Sequence, residues 1–208
     1  MYIKIEQVNK KIKHKNILSN INLTFEKGTV NGIVGANGSG KTMLFRAISG
    51  LIKLDSGSIR INNKPVIFNE KLPVSVGLII ENPGFSLNDS ALDNLKYLAN
   101  LNNNYDKEYT SYLFSKFGIS NNKEQKVKTF SLGMRQKLGI IQALMEHQEL
   151  VILDEPTNGL DKKSVAQFID IVRELQEKGT TFLIASHNEY EIKELCDSII
   201  EIEDGTIV

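Results

Sequence analysis

Apolar residues form short runs or alternate with polar residues at intervals along this chain. Both patterns predict β-strands, because successive side chains on a strand point to opposite faces and a buried strand is apolar on both. The predicted strands cover residues 2–8, 21–25, 29–34, 57–61, 76–80, 150–153, 180–185 and 199–202. Residues 10–15 are mostly basic, which predicts a solvated loop after the first strand.

Several of the intervening segments place apolar residues three or four positions apart, which predicts helices. These helices cover residues 43–48, two segments within 92–117, and residues 132–145, 162–178 and 188–195. Strands that alternate with helices predict an α/β fold, in which a mainly parallel sheet is covered on both faces. The strand-rich first third of the chain predicts an additional antiparallel β lobe.

A chain of 208 residues, of which 41% are hydrophobic, can bury the core of one domain. We predict a single domain over residues 1–208. In it, residues 1–81 and 148–208 form the core with its β lobe, and residues 82–147 form an inserted helical subdomain. The 25 basic and 25 acidic residues balance to a net charge of zero. This balance does not support a nucleic-acid partner.

The single cysteine, Cys196, excludes an intramolecular disulfide and a metal site built from several cysteines. We expect it to be a small buried hydrophobe on a helix. No apolar run approaches the roughly 18 residues of a membrane span, and the first residues show no signal-peptide pattern. We therefore expect a cytoplasmic protein that reaches a membrane only through another chain.

Residues 35–42 read Gly-Ala-Asn-Gly-Ser-Gly-Lys-Thr and match the phosphate-binding loop pattern at every position. The glycines let backbone N–H groups turn toward one anion, and the following helix adds the partial positive charge of its N-terminus. Lys41 is expected to reach the β- and γ-phosphates of a nucleotide, and the Thr42 hydroxyl to ligate Mg²⁺. The candidate nucleotide-binding residues here are Gly35, Asn37, Gly38, Ser39, Gly40, Lys41, Thr42 and Met43. The loop alone leaves kinases, GTPases, recombinases and transporter ATPases as alternatives.

Two acidic residues, Asp154 and Glu155, follow the predicted strand at 150–153. Because adjacent residues on a strand point to opposite sides, we expect these carboxylates to have different roles. Asp154 is expected to hold Mg²⁺, and Glu155 to act as general base toward an attacking water. A water-poor site beside phosphates would raise the proton affinity of Glu155, which suits that role. Asp161 is expected to cap the next helix.

Residues 130–138 read Phe-Ser-Leu-Gly-Met-Arg-Gln-Lys-Leu, shortly before the acidic strand. With the two motifs above, the whole chain resembles the ATP-binding subunit of ABC transporters. Ser131 and Gly133 stand at key positions of that family's signature, although a leucine and a methionine replace its usual first glycine and its glutamine. The resemblance implies that His187 contacts the γ-phosphate and the attacking water. It also implies that Asp161 couples the two subunits of a dimer.

The sequence departs from the usual pattern of the family at three positions. Glu81 replaces a glutamine, and residues 81–85 resemble the subgroup that exports bacitracin and lantibiotic peptides. A glutamate can still supply an oxygen to Mg²⁺ or water, but it adds charge and loses a donor. Ile12 stands where an aromatic residue usually stacks on adenine, so we expect loose base selectivity; Tyr2 is the less favoured substitute. Met43 replaces a hydroxyl residue, which predicts weaker nucleotide binding.

The resemblance implies an ATPase that powers export of a peptide antibiotic or drug through a separate membrane permease. Two copies would bind head to tail as a homodimer on the cytoplasmic face of the membrane, with ATP and Mg²⁺ between them. The implied catalytic residues are Lys41, Glu81, Glu155 and His187. The implied metal ligands are Thr42, Asp154 and Glu81. Ser131 and Gly133 would contact the ATP that is bound by the partner copy. A low-turnover regulatory subunit and a non-transport ABC ATPase stay open as alternatives.

Overall fold

The computed structural model describes residues 1–81, 84–187 and 189–208, except for the side chains of residues 189 and 190. Its strands are β1 (Ile3–Ile12), β2 (Lys15–Phe25), β3 (Val30–Val34), β4 (Ser56–Ile61), β5 (Lys64–Pro65), β6 (Val76–Ile79), β7 (Leu150–Asp154), β8 (Thr181–Ala185), β9 (Ser198–Glu203) and β10 (Thr206–Ile207). Its α-helices are α1 (Lys41–Ile48), α2 (Ala91–Leu101), α3 (Lys107–Lys116), α4 (Leu132–Leu144), α5 (Lys162–Glu177) and α6 (Glu189–Leu195). Short 3-10 helices lie at Ser120–Asn122 and Val127–Thr129.

Two sequence-based expectations extend into residues that the structure does not describe: the peptide-exporter-like stretch at 81–85 includes Asn82 and Pro83, and the last predicted helix begins at Asn188. Two strands, β5 and β10, were not predicted. Each has only two residues, which is too short for an alternating pattern to show. In the parts of the chain that the structure describes, no helix has the combination of length and apolar character needed to cross a bilayer.

The larger sheet has the strand order β10-β9-β3-β8-β7-β6 among the described residues. Neighbouring strands in it are parallel, except for β10 with β9. On β7, Val151 and Leu153 pack into one hydrophobic core, whereas Leu150 and Ile152 pack into another on the opposite face. Both faces of the sheet are therefore covered, and the predicted mainly parallel sheet is confirmed.

The smaller sheet, with strand order β2-β1-β4-β5, is antiparallel and confirms the predicted β lobe. The expected solvated loop at 10–15 is wrong, because β1 continues to Ile12 and β2 begins at Lys15. Asp55 accepts a hydrogen bond from the Lys10 ammonium at 3.1 Å, which partners one of the basic side chains. A basic stretch can be a strand where its backbone is paired and most of its charges stay in water.

The segment between β6 and β7 holds α2, α3 and α4. Helix α4 lies so close to β6 that a Cβ at Gly77 would be 1.8 Å from the Ala143 carbonyl oxygen, so only glycine permits this packing. Helix α3 is held to α5 through Glu174, which accepts hydrogen bonds from the Lys178 ammonium at 2.8 Å and from the Tyr112 hydroxyl. These bonds, above all that from Lys178, lower the pKa of Glu174 to about 2.

Cys196 lies one position beyond the end of α6, with its side chain partly buried against β3. Its sulfur would be 3.0 Å from a Cβ at Gly32, so the glycine makes room for it. Burial raises the pKa of the thiol to about 12, which keeps it protonated at neutral pH. The residue thus packs as a small apolar group, although not within the helix itself.

Candidate nucleotide site

The candidate site lies where three parallel strands end side by side. Ala185, the last residue of β8, pairs with Ile33 of β3 on one side and with Asp154 of β7 on the other. The segments that follow these strands therefore leave the sheet at the same edge. These segments are the glycine-rich loop after β3, Glu155 after β7, and His187 after β8. Strand pairing thus assembles motifs that lie far apart in the sequence.

The glycine-rich loop folds tightly around its own lysine. The Lys41 ammonium donates hydrogen bonds to the carbonyl oxygens of Gly35 at 2.6 Å and Ala36 at 3.1 Å. At Gly35, φ is +147°, and a Cβ would lie 2.2 Å from the Ile202 carbonyl oxygen, so glycine is required. The buried Ser39 hydroxyl has no partner among the described residues. The loop ends at the N-terminus of α1, whose first N–H groups favour an anion.

The side-chain oxygens of Thr42 and Asp154 lie next to each other. The Thr42 hydroxyl donates a hydrogen bond to the Asp154 carboxylate at 2.5 Å, across 112 positions of sequence. Burial raises the pKa of Asp154 above its ordinary value, although the Thr42 hydrogen bond and the Lys41 charge act in the opposite direction. A buried carboxylate of this kind favours a nearby cation, since a positive charge offsets the cost of removing its own charge from water.

Glu155 lies beside Asp154 in the chain but not on the strand. β7 ends at Asp154, and Glu155 adopts a left-handed backbone conformation with φ +51°. Both residues line the same cavity, and the rule that neighbouring side chains point to opposite sides holds only within a strand, so it does not apply to Glu155. The different roles expected for the two acids stay predictions. A Glu155 carboxylate oxygen lies 2.8 Å from Nδ1 of His187. The structure therefore brings the predicted base and the predicted switch histidine together.

The cavity beside the loop has a volume of about 390 Å³. Its described lining comprises Ile12, Ile17, Asn37, Gly38, Gly40, Lys41, Thr42, Met43, Asp154 and Glu155. Ile17 was not predicted as a site residue, because β2 begins at Lys15 whereas the predicted strand begins only at residue 21. Tyr2 cannot replace the missing aromatic residue, because only 4% of it is exposed and it packs in the core under the β lobe.

Glu81 lies two positions after the end of β6 and is not among the described residues that line this cavity. Its carboxylate instead accepts a hydrogen bond from the Arg46 guanidinium of α1 at 2.6 Å. Its charge contributes to the raised pKa of Asp154, so the two carboxylates interact electrostatically. The roles of Glu81 as metal ligand and catalytic residue stay predictions.

Ser131 and Gly133 open α4 outside the cavity as far as the described residues line it. The Ser131 hydroxyl accepts a hydrogen bond from the Met134 backbone N–H at 3.2 Å and so caps the helix. A Cβ at Gly133 would lie 2.9 Å from the Gly159 carbonyl oxygen. The start of α4 therefore packs closely on the turn that follows the two acids. Among the described residues, neither of the two lines the cavity beside the glycine-rich loop of the same chain.

Asp161 begins α5 just after that turn. Its carboxylate accepts a hydrogen bond from the Ser164 backbone N–H at 2.7 Å, which confirms the predicted helix cap. This bond is the main reason that the pKa of Asp161 is lowered, so the group is charged at neutral pH. Asp161 is exposed and does not belong to the described lining of the cavity. Its implied role in coupling two subunits stays a prediction.

Comparison with known proteins gives the family of the chain. The family model described as "ABC transporter" matches residues 18–158. The chain belongs to the ABC transporter family. It is 42% identical over 205 residues to the uncharacterized ABC transporter ATP-binding protein YybJ of Bacillus subtilis, covering 99% of this chain and 94% of YybJ. It is 35% identical over 206 residues to the lantibiotic transport ATP-binding protein SrtF of Streptococcus pyogenes, covering 99% of this chain and 89% of SrtF.

The fold is that of an ABC cassette. The dimeric structure of MJ0796, a bacterial ABC transporter cassette, superposes with a TM-score of 0.90 at 22% identity, covering 99% of this chain and 96% of MJ0796. The predicted combination of β lobe, mainly parallel sheet and helices is confirmed. As an ABC transporter ATPase, the chain binds and hydrolyses ATP to energise transport, and ABC ATPases dimerise and partner membrane permeases.

Ile12 in the lining of the cavity beside the loop leads to a prediction about base selectivity. Ile12 offers a nucleotide base contact area but no π-face and no hydrogen-bonding group. We expect the wild-type protein to bind ATP and GTP with similar Kd values. We expect Ile12→Tyr to tighten ATP binding about 5-fold, because stacking of a base on an aromatic ring contributes roughly 1 kcal/mol or more. Titration with each nucleotide measures both values.

Ile67→Tyr is the matched control for this substitution. Ile67 is 49% exposed, close to the 45% of Ile12, but it lies outside the described lining of the cavity. It should leave both Kd values unchanged. Equal ATP affinity in the Ile12 and Ile67 variants would show that residue 12 does not contact the base.

Proposed function

We propose that this ABC ATPase powers export of a peptide antibiotic or drug through a separate permease on the cytoplasmic face of the membrane. ATP would close a homodimer of the chain. The proposal of a dimer is supported by the placement of the candidate ATP-contacting residues. Lys41, Thr42 and the two acids line one cavity, whereas Ser131 and Gly133 lie outside its described lining. A second copy placed head to tail would supply those two residues. The dimeric description of MJ0796 supports this arrangement.

Closure follows from the charge of the nucleotide. The loop and α1 would surround the phosphates on one side, and Ser131 with the N-terminus of the partner's α4 would meet them on the other. The phosphate charge is fully matched only when both halves meet, so ATP favours the closed dimer. Hydrolysis and loss of phosphate would remove that match and reopen it. Asp161, at the start of α5, would lie near the contact between the copies.

The residues present fit a magnesium ion. Mg²⁺ prefers oxygen ligands and is usually held by one or two protein groups together with phosphates and water. Thr42 and Asp154 would hold it, and their oxygens already lie 2.5 Å apart. When bound, the ion would neutralise charge on the phosphates. Glu81 would have to leave Arg46 before its carboxylate could add a further oxygen, directly or through water.

Glu155 would act as the general base. It would accept a proton from water as the water oxygen bonds to the γ-phosphorus. The bond from that phosphorus to the bridging oxygen would break, and ADP would leave with the electron pair. His187, 2.8 Å from the Glu155 carboxylate, would hold that carboxylate and contact the γ-phosphate. Lys41 would stabilise the phosphate charge that develops.

The decisive variant is Glu155→Gln. It keeps the shape of the side chain but cannot take a proton, so we expect the hydrolysis rate to fall about 100-fold or more while ATP still binds. Because ATP is no longer consumed, the closed dimer should accumulate. A steady-state phosphate-release assay and size-exclusion chromatography with and without ATP measure the two effects.

Glu177→Gln provides the control, since Glu177 is an exposed acid on α5. It should keep the wild-type rate and show no trapped dimer. If Glu155→Gln hydrolysed ATP as fast as Glu177→Gln, the assignment of Glu155 as base would be wrong.

A mixing experiment tests whether the site is shared between two copies. Lys41→Ala damages the half of the site that the glycine-rich loop forms. Ser131→Arg damages the half that the partner copy would supply. Each variant alone should therefore be inactive. In a mixed dimer, one site combines two intact halves. The mixture should therefore recover at most about a quarter of the wild-type rate, because half of randomly formed dimers are mixed and each has one good site.

The result of mixing distinguishes a shared site from a site within one chain. If each variant damaged a site contained in its own chain, mixing would recover nothing. If Ser131→Arg alone kept full activity, its place beside the partner's phosphates would be disproved. Double-variant chains that carry both substitutions serve as the inactive reference.

The proposed transported substrate rests on two resemblances. SrtF is named as a lantibiotic transport protein, and the sequence from Glu81 to Phe85 resembles the peptide-exporting subgroup. We expect cells that lack the chain to be more sensitive to bacitracin or a lantibiotic. Wild-type protein should restore resistance, and Glu155→Gln should not. Unchanged sensitivity across a panel of such peptides would remove peptide export and leave the ATPase intact.

A further inference from the structure

Gln136 connects the helix that opens with the signature residues to the turn that carries Glu155. It lies on α4, three positions after Gly133, and its side chain is partly buried. Its amide nitrogen is 2.8 Å from the Pro156 carbonyl oxygen and 3.3 Å from the Glu155 carbonyl oxygen. The side chain therefore spans from α4 to two consecutive peptide groups directly after β7.

The chemistry of these contacts fixes the orientation of the amide. Both facing groups are carbonyl oxygens, which only accept hydrogen bonds. The amide nitrogen of Gln136 has two hydrogens, one for each of them, whereas its oxygen would face them unfavourably. A carboxylate or an apolar side chain of the same length could not make either bond.

The turn at Glu155 needs such support. Its φ of +51° is unfavourable for a residue that has a side chain, so neighbouring groups must hold the conformation. The Glu155 N–H donates to the Ala185 carbonyl at 2.8 Å. Its carbonyl accepts from Gln136 and from the Asn158 N–H at 3.3 Å. Gln136 is therefore the side chain from α4 that holds this residue in its left-handed conformation, with the carboxylate beside His187.

We propose that Gln136 is a positioning residue for ATP hydrolysis, which aims the Glu155 carboxylate by holding its backbone. This inference rests on the proposed role of Glu155. It also gives α4 two tasks. The N-terminus of the helix, with Ser131 and Gly133, would face the ATP of the partner, while Gln136 one turn later holds the base of its own chain. Binding of the partner's ATP at α4 would thus affect the position of Glu155 in this chain.

The test is Gln136→Met, which keeps the length of the side chain and removes both hydrogen bonds. We expect the single-turnover hydrolysis rate to fall about 10- to 100-fold, because a small displacement of a catalytic group has effects of this size. The Kd for ATP should change less than about 2-fold, since Gln136 does not line the described cavity. Gln136→Glu should lose at least as much rate, because it offers acceptors only.

Gln142→Met is the matched control. It is the same change on the same helix, and Gln142 lies in a different cavity, beside Arg46 and Leu98. It should keep the wild-type rate, and thermal melting of all variants shows whether they fold. If the Gln136 and Gln142 variants had equal rates, the positioning role would be disproved. If Gln136→Met weakened ATP binding as much as turnover, the residue would be merely structural.

A double variant separates this inference from the proposal on which it rests. If Gln136 acts through Glu155, adding Gln136→Met to Glu155→Gln should lower the residual rate no further. A further 10-fold loss would show that Gln136 acts independently and would overturn the inference. If Glu155→Gln itself kept the wild-type rate, the base assignment would fail first, and the inference with it. If only Gln136→Met kept it, the inference alone would fail.

Discussion

The pairing of Ala185 with Ile33 on one side and Asp154 on the other determines where this protein can act. It fixes the register of three parallel strands, so that the segments with the glycine-rich loop, the acids and His187 all leave the sheet at one edge. β7 and β8 are buried throughout, and backbone hydrogen bonds in such a low-dielectric interior are strong and costly to break. The register therefore leaves little freedom for the site to deform.

This rigid edge concentrates charge that one chain does not balance by itself. Asp154 is buried and has a raised pKa, Glu155 lies next to it, and the Lys41 ammonium is bonded to carbonyl oxygens of its own loop. Thr42 supplies Asp154 with one hydrogen bond, which is less than a cation would provide. The arrangement thus favours a charged ligand, and Ser131 at the start of α4 lies outside the described lining of the cavity.

The helical segment is hydrogen-bonded directly to the turn that carries the proposed base. Gly77 lets α4 approach β6 to backbone contact, and β6 pairs with β7, the strand that ends at Asp154. From there Gln136 reaches the carbonyl groups of Glu155 and Pro156. At the far side, Glu174 of α5 holds α3. Hydrogen bonds therefore link this segment to the backbone of the proposed base.

The sequence by itself determined the features that depend on neighbours in the chain. Apolar runs predicted the buried strands, the glycine-rich loop was complete, and Asp161 was recognised as a cap from its position before a helix. The tertiary structure alone decided the rest. It turned the basic stretch at 10–15 into a paired hairpin, brought Ile17 into the cavity and included both Asp154 and Glu155 in the lining of that cavity. Contacts such as Gln136 with Glu155 are made by polar groups far apart in sequence, and no periodic pattern encodes which of them the packing of strands and helices will bring within hydrogen-bonding distance.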